Sequence, residues 1–128
     1  MKRINLRDLP KILAQDAELM LQNIAKETAQ MAIDNAPEDS GALKANIVLT
    51  VNESAPDFDD STDYNRTISN NDDKAASIRL TDKIEIVSTA PYSLYVEEGT
   101  DKTEAQPFLR PTVDSFAAIV GRACDKVK

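Results

Sequence analysis

Histidine is absent from this 128-residue chain, and cysteine occurs once, as Cys124. A single cysteine cannot form a disulfide within the chain, so no internal disulfide framework is available. The missing histidine removes the Ser-His and Cys-His pairs that activate nucleophiles, and it leaves Cys/His zinc sites without their ligands. These absences exclude most common hydrolase mechanisms before any motif is considered.

Long apolar runs are missing as well. No stretch approaches the roughly 20 apolar residues that a membrane-spanning helix needs. The basic start, Lys2-Arg3, is like that of a signal peptide, but charges at Arg7, Asp8 and Lys11 interrupt the apolar region that a signal peptide requires. We therefore expect a protein that is made and used, or assembled, in a cytoplasm.

Acidic residues outnumber basic ones by 22 to 15, which gives a formal net charge of −7. Phosphate binding depends on clustered lysine and arginine, so this balance argues against nucleic-acid binding as the main activity. An acidic lining would repel a polyanion and let it slide, so the charge remains compatible with DNA that passes close by.

The first long segment has the apolar spacing of a helix. Asp8 is placed to cap it, Pro10 suits its first turn, and Pro37 forces the backbone out of the helical region near Asn35. The predicted helix has about 25 residues and a length near 40 Å, long enough for part of it to pack against another subunit. Its apolar positions recur at steps of three and four: Leu9, Leu13, Ala17, Met20, Ile24, Met31 and Ala32.

The remaining patterns predict an α+β fold with a small, mostly antiparallel sheet. Asp39 or Ser40 can cap one short helical turn. Strands are then predicted at Ile47–Val51, Ala76–Leu80 and Lys83–Ser88, with the last two as separate strands or as one bent strand. Further on, a short helix at 92–97 is predicted to end at Gly99, and a longer helix follows Pro111. The apolar face of that last helix holds Val113, Phe116, Ala117, Val120, Cys124 and Val127.

The stretch Glu53–Lys74 has few apolar residues and many acidic ones and turn formers. It predicts a single domain, residues 1–128, with a mobile acidic arm or insertion at about 53–75. A calcium loop of the EF-hand type needs a central glycine, which this stretch lacks, so a solvated segment is favoured over a metal site. We expect this arm to dock on a partner and to be dispensable for folding.

Two groups of residues invite a chemical interpretation. Glu97 and Glu98 are adjacent carboxylates, but consecutive helix residues do not face the same way, which favours a solvated helix end or a subunit contact over a general-acid pair. Arg110 stands between Pro107 and Pro111, a rigid mount that suits a bidentate pair with a carboxylate. The alternative for Arg110 is a solvated side chain at a helix start.

Three segments in this order resemble the tail-completion, or head–tail joining, proteins of HK97-like tailed phages, a family related to tail terminators. They are Asn35–Lys44, Ala90–Thr100 and Ala105–Pro111. The long helix before them and the amphipathic helix after them also fit, and the resemblance leaves out the acidic arm.

The resemblance implies a structural protein of the virion that is not an enzyme and carries no cofactor. It implies a homo-oligomeric ring, commonly a hexamer, at the neck of the particle, the head-proximal end of the tail. Such a ring caps the tail tube protein and meets the head-completion or connector protein. Genomic DNA passes through it without specific binding, no membrane is involved, and assembly takes place in the host cytoplasm.

We therefore expect certain side chains to contact neighbouring subunits or partners. They are Tyr92, Tyr95, Glu97, Glu98, Phe108, Arg110, Asp57, Phe58, Asp59 and Asp60. One alternative is a small acidic interaction module, an inhibitor or a DNA mimic, which would remain a monomer and bind a basic partner. Another is a carboxylate enzyme, which would need a pocket where Glu97 or Glu98 meets a second titratable group.

Overall fold

The computed structural model describes residues 9–37, 41–102 and 104–126, with side chains from residue 15 to residue 123 of those ranges. The expected α+β class is confirmed, while the predicted caps Asp8, Asp39 and Ser40 lie outside the described residues. In chain order the elements of these ranges are α1 (Leu9–Asn35), α2 (Gly41–Ala45), β1 (Ile47–Val51), α3 (Tyr64–Ala76), β2 (Ile84–Ser88), α4 (Ser93–Glu98), α5 (Leu109–Asp114) and α6 (Phe116–Lys126).

Helix α1 confirms the predicted long N-terminal helix, with 27 residues that end shortly before Pro37. The residues that it buries are mainly alanines, which allow the helix backbone to approach its neighbours closely. This buried face holds Ala25, Ala29, Ala32 and Ile33, and Ala36 is buried just beyond the end of the helix. Only Ala32 belongs both to this face and to the predicted apolar stripe, so α1 is rotated from the orientation that the larger apolar residues indicated.

Lys44 closes the end of α1. Its side chain is buried, and its Nζ donates a hydrogen bond of 2.7 Å to the carbonyl oxygen of Ile33 in the last turn of α1. The same ammonium lies 5.6 Å from the centre of the Tyr64 ring, within range of a cation–π interaction. The carbonyl of Ile33 also accepts the N–H of Ala36 at 3.2 Å, so the ammonium is its second donor and complements the dipole at the end of the helix.

Strands β1 and β2 pair antiparallel, from Ile47 opposite Ser88 to Val51 opposite Ile84. Two further bonds extend the ladder, from the N–H of Thr89 to the carbonyl of Asn46 and from the N–H of Asn52 to the carbonyl of Lys83. Hydrogen-bonded pairs alternate along an antiparallel ladder. Two positions along from the bonded pair Asn52–Lys83, Thr50 and Glu85 also form a hydrogen-bonded pair, with their N–H and C=O groups facing each other. The backbone groups of the residues on either side of them point away from the partner strand.

Helix α3 corrects the prediction of an acidic arm at 53–75, because residues 64–76 are helical and pack on the domain. Asp63 caps the helix by accepting the N–H of Arg66, and the buried positions Thr67, Asn71 and Ala75 recur every four residues. This buried face is largely polar, so a search for apolar periodicity does not reveal it. Deleting residues 57–73 would remove most of α3, and we no longer expect the fold to survive that deletion.

Only the first part of the predicted arm, residues 53–63, is free of helix and strand. The prediction of a strand at Ala76–Leu80 is wrong. Ala76 is the last residue of α3, and Ile78 is fully buried in the core. A turn follows, in which the N–H of Arg79 donates to the carboxylate of Asp82. The strand predicted at 83–88 is confirmed as β2.

The core lies where α1 crosses the sheet, and it consists of two clusters. One joins α1 to the α2, α4 and α5 regions and contains Ala32, Ile33, Ala36, Leu43, Ile47, Ala90 and Phe108. The other joins α1 to α3 and β1 and contains Ala25, Leu49, Ala75 and Ile78.

The C-terminal helix differs from its prediction in two ways. It is broken at Ser115 into α5 and α6, and the side that packs inward holds Thr112, Ile119 and Ala123. Thr112 faces α1, where its hydroxyl accepts a hydrogen bond from the side chain of Asn35. The predicted apolar face is consequently turned outward, and Val113 is 70% exposed. The side chains of Cys124 and Val127, predicted on that face, lie outside the described residues.

Candidate subunit-contact surfaces

Glu97 joins the two predicted contact segments around α4 and α5. Its Oε2 accepts the backbone N–H groups of Phe108 at 2.7 Å and Leu109 at 3.1 Å, and its Oε1 accepts that of Arg110 at 2.8 Å. These donors belong to the first turn of α5, whose N–H groups have no partner inside the helix. The carboxylate therefore acts as a cap supplied from eleven or more residues away in the chain.

The surroundings of Glu97 act on its pKa in opposite directions. Partial burial raises the pKa, but the three backbone N–H groups and the nearby positive charge of Arg110 outweigh that effect and hold the pKa below its ordinary value. Glu97 is therefore ionised at neutral pH and fully engaged by its own chain. A general acid would need a raised pKa, so this arrangement favours a structural role for Glu97 over catalysis.

The acidic stretch and the α4 region, both expected at contacts, lie against each other. The rings of Phe58 and Tyr92 meet edge to face, with centroids 6.0 Å apart and planes inclined at 82°. Tyr92 also packs on the core cluster beside α1, and Phe108 is fully buried within that cluster. Phe108 thus contacts its own subunit, and Phe58 and Tyr92 fasten the irregular stretch to the domain.

Asn46 provides the second attachment of that stretch. Its side-chain nitrogen donates to the carbonyl oxygens of Ala42 and Asp59, and its side-chain oxygen accepts the N–H of Asp59 and the hydroxyl of Thr89. All four hydrogen-bonding positions of the amide are used, which is the maximum for an asparagine. Sequence reasoning missed Asn46, Thr67 and Asn71, because buried amides and hydroxyls leave no pattern in hydropathy.

The remaining predicted contact residues lie on the surface. Asp57, Asp60, Glu98 and Arg110 are exposed, and in the described residues the Arg110 guanidinium forms no ion pair with a carboxylate. Asp59 is exposed as well and lies 3.9 Å from Arg66, a separation at which a surface pair contributes little stability. These charges are therefore available to a partner.

Large apolar side chains are exposed singly at Leu19, Phe58 and Leu80, and in pairs on two further parts of the molecule. On α4, Leu94 and Tyr95 are 60% and 61% exposed. On α5 and α6, Val113 and Phe116 are exposed, and Phe116 forms one wall of a groove of about 220 Å³ beside the sheet. The other residues that line this groove are Leu21, Ile24, Ala25, Thr28, Ile84 and Ile86. Exposed apolar patches of this kind mark sites of protein–protein interaction.

A comparison with protein-family models assigns residues 4–99 to the HK97-gp10-like family, whose members are described as tail components of bacteriophage. The chain belongs to this family. It is therefore a structural component of a phage tail, found in the virion in contact with other virion proteins. No curated protein and no solved structure gives a significant match.

The family match ends before Ala105–Pro111, the third segment of the expected resemblance. The geometry nevertheless ties that segment to the matched region, because Glu97 caps α5 and the N–H of Gln106 donates to the carbonyl of Val96 at 2.8 Å. In the described ranges, no helix of this tail component is long and apolar enough to cross a membrane. Across the same residues, no group of three or more acidic or cysteine side chains is arranged to hold a metal ion.

Proposed function

We propose that this tail component is the ring subunit of the head-to-tail junction, where it caps the tail tube and joins it to the head connector. The observation that carries the proposal is that two different parts of one small subunit, α4 and the α5–α6 region, each leave two large apolar side chains exposed. A ring requires heterologous contacts, in which two different surfaces of the same chain meet.

The exposed charges fit the same role. Arg110 on α5 and Glu98 on α4 have side chains that this subunit does not pair within its described residues, so each can form an ion pair across a ring contact. Asp57 and Asp60 project from the irregular stretch beside α3. We propose that such acidic side chains line the channel, where they would let DNA slide without binding it.

The test is to measure the mass of the purified protein in solution by light scattering and to image it by electron microscopy. We expect rings with a central hole, and we expect antibody or nanogold label at the neck of intact particles. A protein that remains a monomer at every concentration and is absent from mature particles would contradict the proposal. A stable monomer that binds a basic protein would instead support the acidic-inhibitor alternative, and a ring with a basic lumen would contradict the DNA channel.

A further inference from the structure

The outer edge of β2 is open. Because the backbone groups of Glu85 face β1, those of Ile84, Ile86 and Ser88 point away from it, and in the described part of the chain they have no hydrogen-bond partner. An edge with free N–H and C=O groups is a template for one more strand. The chemistry of this site therefore selects an extended polypeptide over a helix or a small molecule.

The groove beside this edge selects the side chains of that polypeptide. Ile84 and Ile86 are two residues apart, so they lie on one face of the sheet, and both line the groove together with Leu21, Ile24 and Phe116. A strand added to β2 would place every second side chain on this same face, above α1. The site therefore fits a short strand with apolar residues at alternate positions.

We propose that residues 2–7 of a neighbouring copy of this chain add to the edge of β2 as a third strand. This segment reads Lys2-Arg3-Ile4-Asn5-Leu6-Arg7, with Ile4 and Leu6 two residues apart on one side, Lys2 at the start of that side, and Arg3, Asn5 and Arg7 on the other side. Ile4 and Leu6 would enter the groove, while the polar side chains would remain in water. The inference rests on the proposed ring and names the contact that closes it.

The helix geometry shows why the segment must come from another copy. The groove begins at Leu21, twelve residues along α1 from Leu9, a rise of about 18 Å at ~1.5 Å per residue. Two residues lie between Leu6 and Leu9, and the three steps from Leu6 to Leu9 span at most about 11 Å when fully extended. Leu6 therefore cannot reach the groove of its own chain, even at its nearest end.

Charge favours the same occupant. Lys2, Arg3 and Arg7 place three positive charges in one short segment of a chain whose net charge is −7. Glu18 lies one helical turn before Leu21 at the end of the groove, and Glu85, on the water-facing side of β2, is paired with Lys83 at 3.1 Å. The basic segment is thus attracted to the acidic body of its neighbour, and this attraction increases the rate of association.

An exchange of this kind is directional, because each copy gives its N-terminal segment to one neighbour and receives a segment from the other. Such a contact is heterologous, so it builds a ring when the rotation between copies closes. The strand also converts a two-stranded sheet, which has little stability alone, into a three-stranded one.

The experiment compares the full-length double variant Ile4→Ser/Leu6→Ser with the matched variant Asn5→Ser, which changes the polar side of the same segment. Sedimentation at a series of concentrations gives the midpoint of assembly for each. We expect the double variant to raise that midpoint by about 100-fold or more, since two apolar side chains lose their burial. The Asn5→Ser variant should assemble like the unaltered protein.

A cysteine experiment identifies the strand's origin. In a Cys124→Ser background, a Leu6→Cys chain is mixed with an Ile86→Cys chain and oxidised, both as purified protein and in assembled particles. A disulfide between the two chains is the expected product. Rings that form normally from the double variant, or assembled rings in which no disulfide joins the Leu6→Cys chain to the Ile86→Cys chain, would overturn the strand exchange and leave the proposed function standing. Failure of the unaltered protein to form rings or enter particles would instead overturn the proposed function.

Discussion

The two edges of the sheet differ in whether their outward-facing backbone groups have hydrogen-bond partners. At the β1 edge, the side chain of Asn71 imitates a missing strand, since its oxygen accepts the N–H of Leu49 and its nitrogen donates to the carbonyl of Ile47, both at 3.0 Å. The hydroxyl of Thr67 satisfies the carbonyl of Ala45 next to it. At the β2 edge, the outward groups have no such partner in the described residues.

This difference separates folding from assembly. Sealing the β1 edge requires buried polar side chains, so changes there should affect the free energy of unfolding of the isolated subunit. Open edges invite association, and proteins cover or disrupt them unless the edge is used. Changes to the exposed apolar side chains should therefore affect assembly and leave subunit stability nearly unchanged, whereas Ile84 and Ile86 at the open edge also pack on the core.

Asn71→Leu is expected to have the largest effect on stability. It leaves the N–H of Leu49 and the carbonyl of Ile47 buried without partners, and each unsatisfied group costs about 1–3 kcal/mol. We expect the free energy of unfolding to fall by roughly 2–5 kcal/mol, measured by urea denaturation followed by circular dichroism. The exposed neighbour Asn70 supplies the control, Asn70→Leu. Equal losses for the two variants would show that the hydrogen bonds of Asn71 to β1 contribute nothing to the free energy of unfolding.

Asn71 also illustrates which parts of the fold the sequence could predict. Helix α1, strands β1 and β2, and the short helix before Gly99 follow from apolar spacing and from glycine and proline positions, which are local signals. Helix α3 buries Thr67 and Asn71 in bonds to residues more than 20 positions away. Their partners are set by tertiary structure, so a local reading took the polar run for a mobile arm.

The candidate site, too, could be predicted only where local sequence signals determine it. The sequence pointed to Glu97 and Arg110, but their relation, a carboxylate capping the next helix through backbone N–H groups, depends on how the loop between them folds. The predicted face of the C-terminal helix had the correct apolar residues and the wrong orientation, since periodicity fixes which residues share a face but not what that face meets. Because this face points outward, its apolar side chains belong to the exposed surface on which the proposed function rests.

Lys44→Met is expected to have the next largest effect on stability, because it also removes a buried polar side chain. Methionine keeps the apolar stem but removes the charged donor from the carbonyl of Ile33, which retains only the N–H of Ala36, and one charged hydrogen bond contributes about 1.5–3 kcal/mol. Urea denaturation should show this loss, whereas Lys74→Met, which breaks only the partly exposed pair with Glu53, should cost less than about 1 kcal/mol. If Lys74→Met proved the more damaging variant, Lys44 would not hold the end of α1.

Glu97→Gln tests the cap that joins α4 to α5. The amide retains one acceptor and loses the charge, so we expect a loss of about 0.5–2 kcal/mol at neutral pH, within the range for helix caps. Because folding lowers the pKa of Glu97 from 4.5, its contribution is complete above that pH and disappears as the pH falls through the depressed value. The difference between the variant and the unaltered protein should therefore shrink in acid.

Denaturation at pH 7 and at several values below 4.5 measures that difference. The pKa values of Glu53 and Asp82 are also lowered, by Lys74 and by the N–H of Arg79 respectively, but both groups are present in the two proteins and their effects cancel. A difference in the free energy of unfolding that stayed constant with pH would mean that the Glu97 charge contributes nothing to the cap.

The smallest effects on stability are expected on the open side, at Leu94 and Val113. Both side chains are largely exposed in the subunit, so Leu94→Ser and Val113→Ser should each change the free energy of unfolding by no more than about 0.5 kcal/mol. Each should nevertheless raise the concentration at which the protein assembles, because an apolar side chain that becomes buried in a contact loses its favourable transfer from water. Leu43→Ser, in the buried core, should do the reverse and unfold the subunit first. A Leu94 or Val113 variant that destabilised the monomer as strongly as Leu43→Ser would place that side chain in the core and remove it from the ring contact.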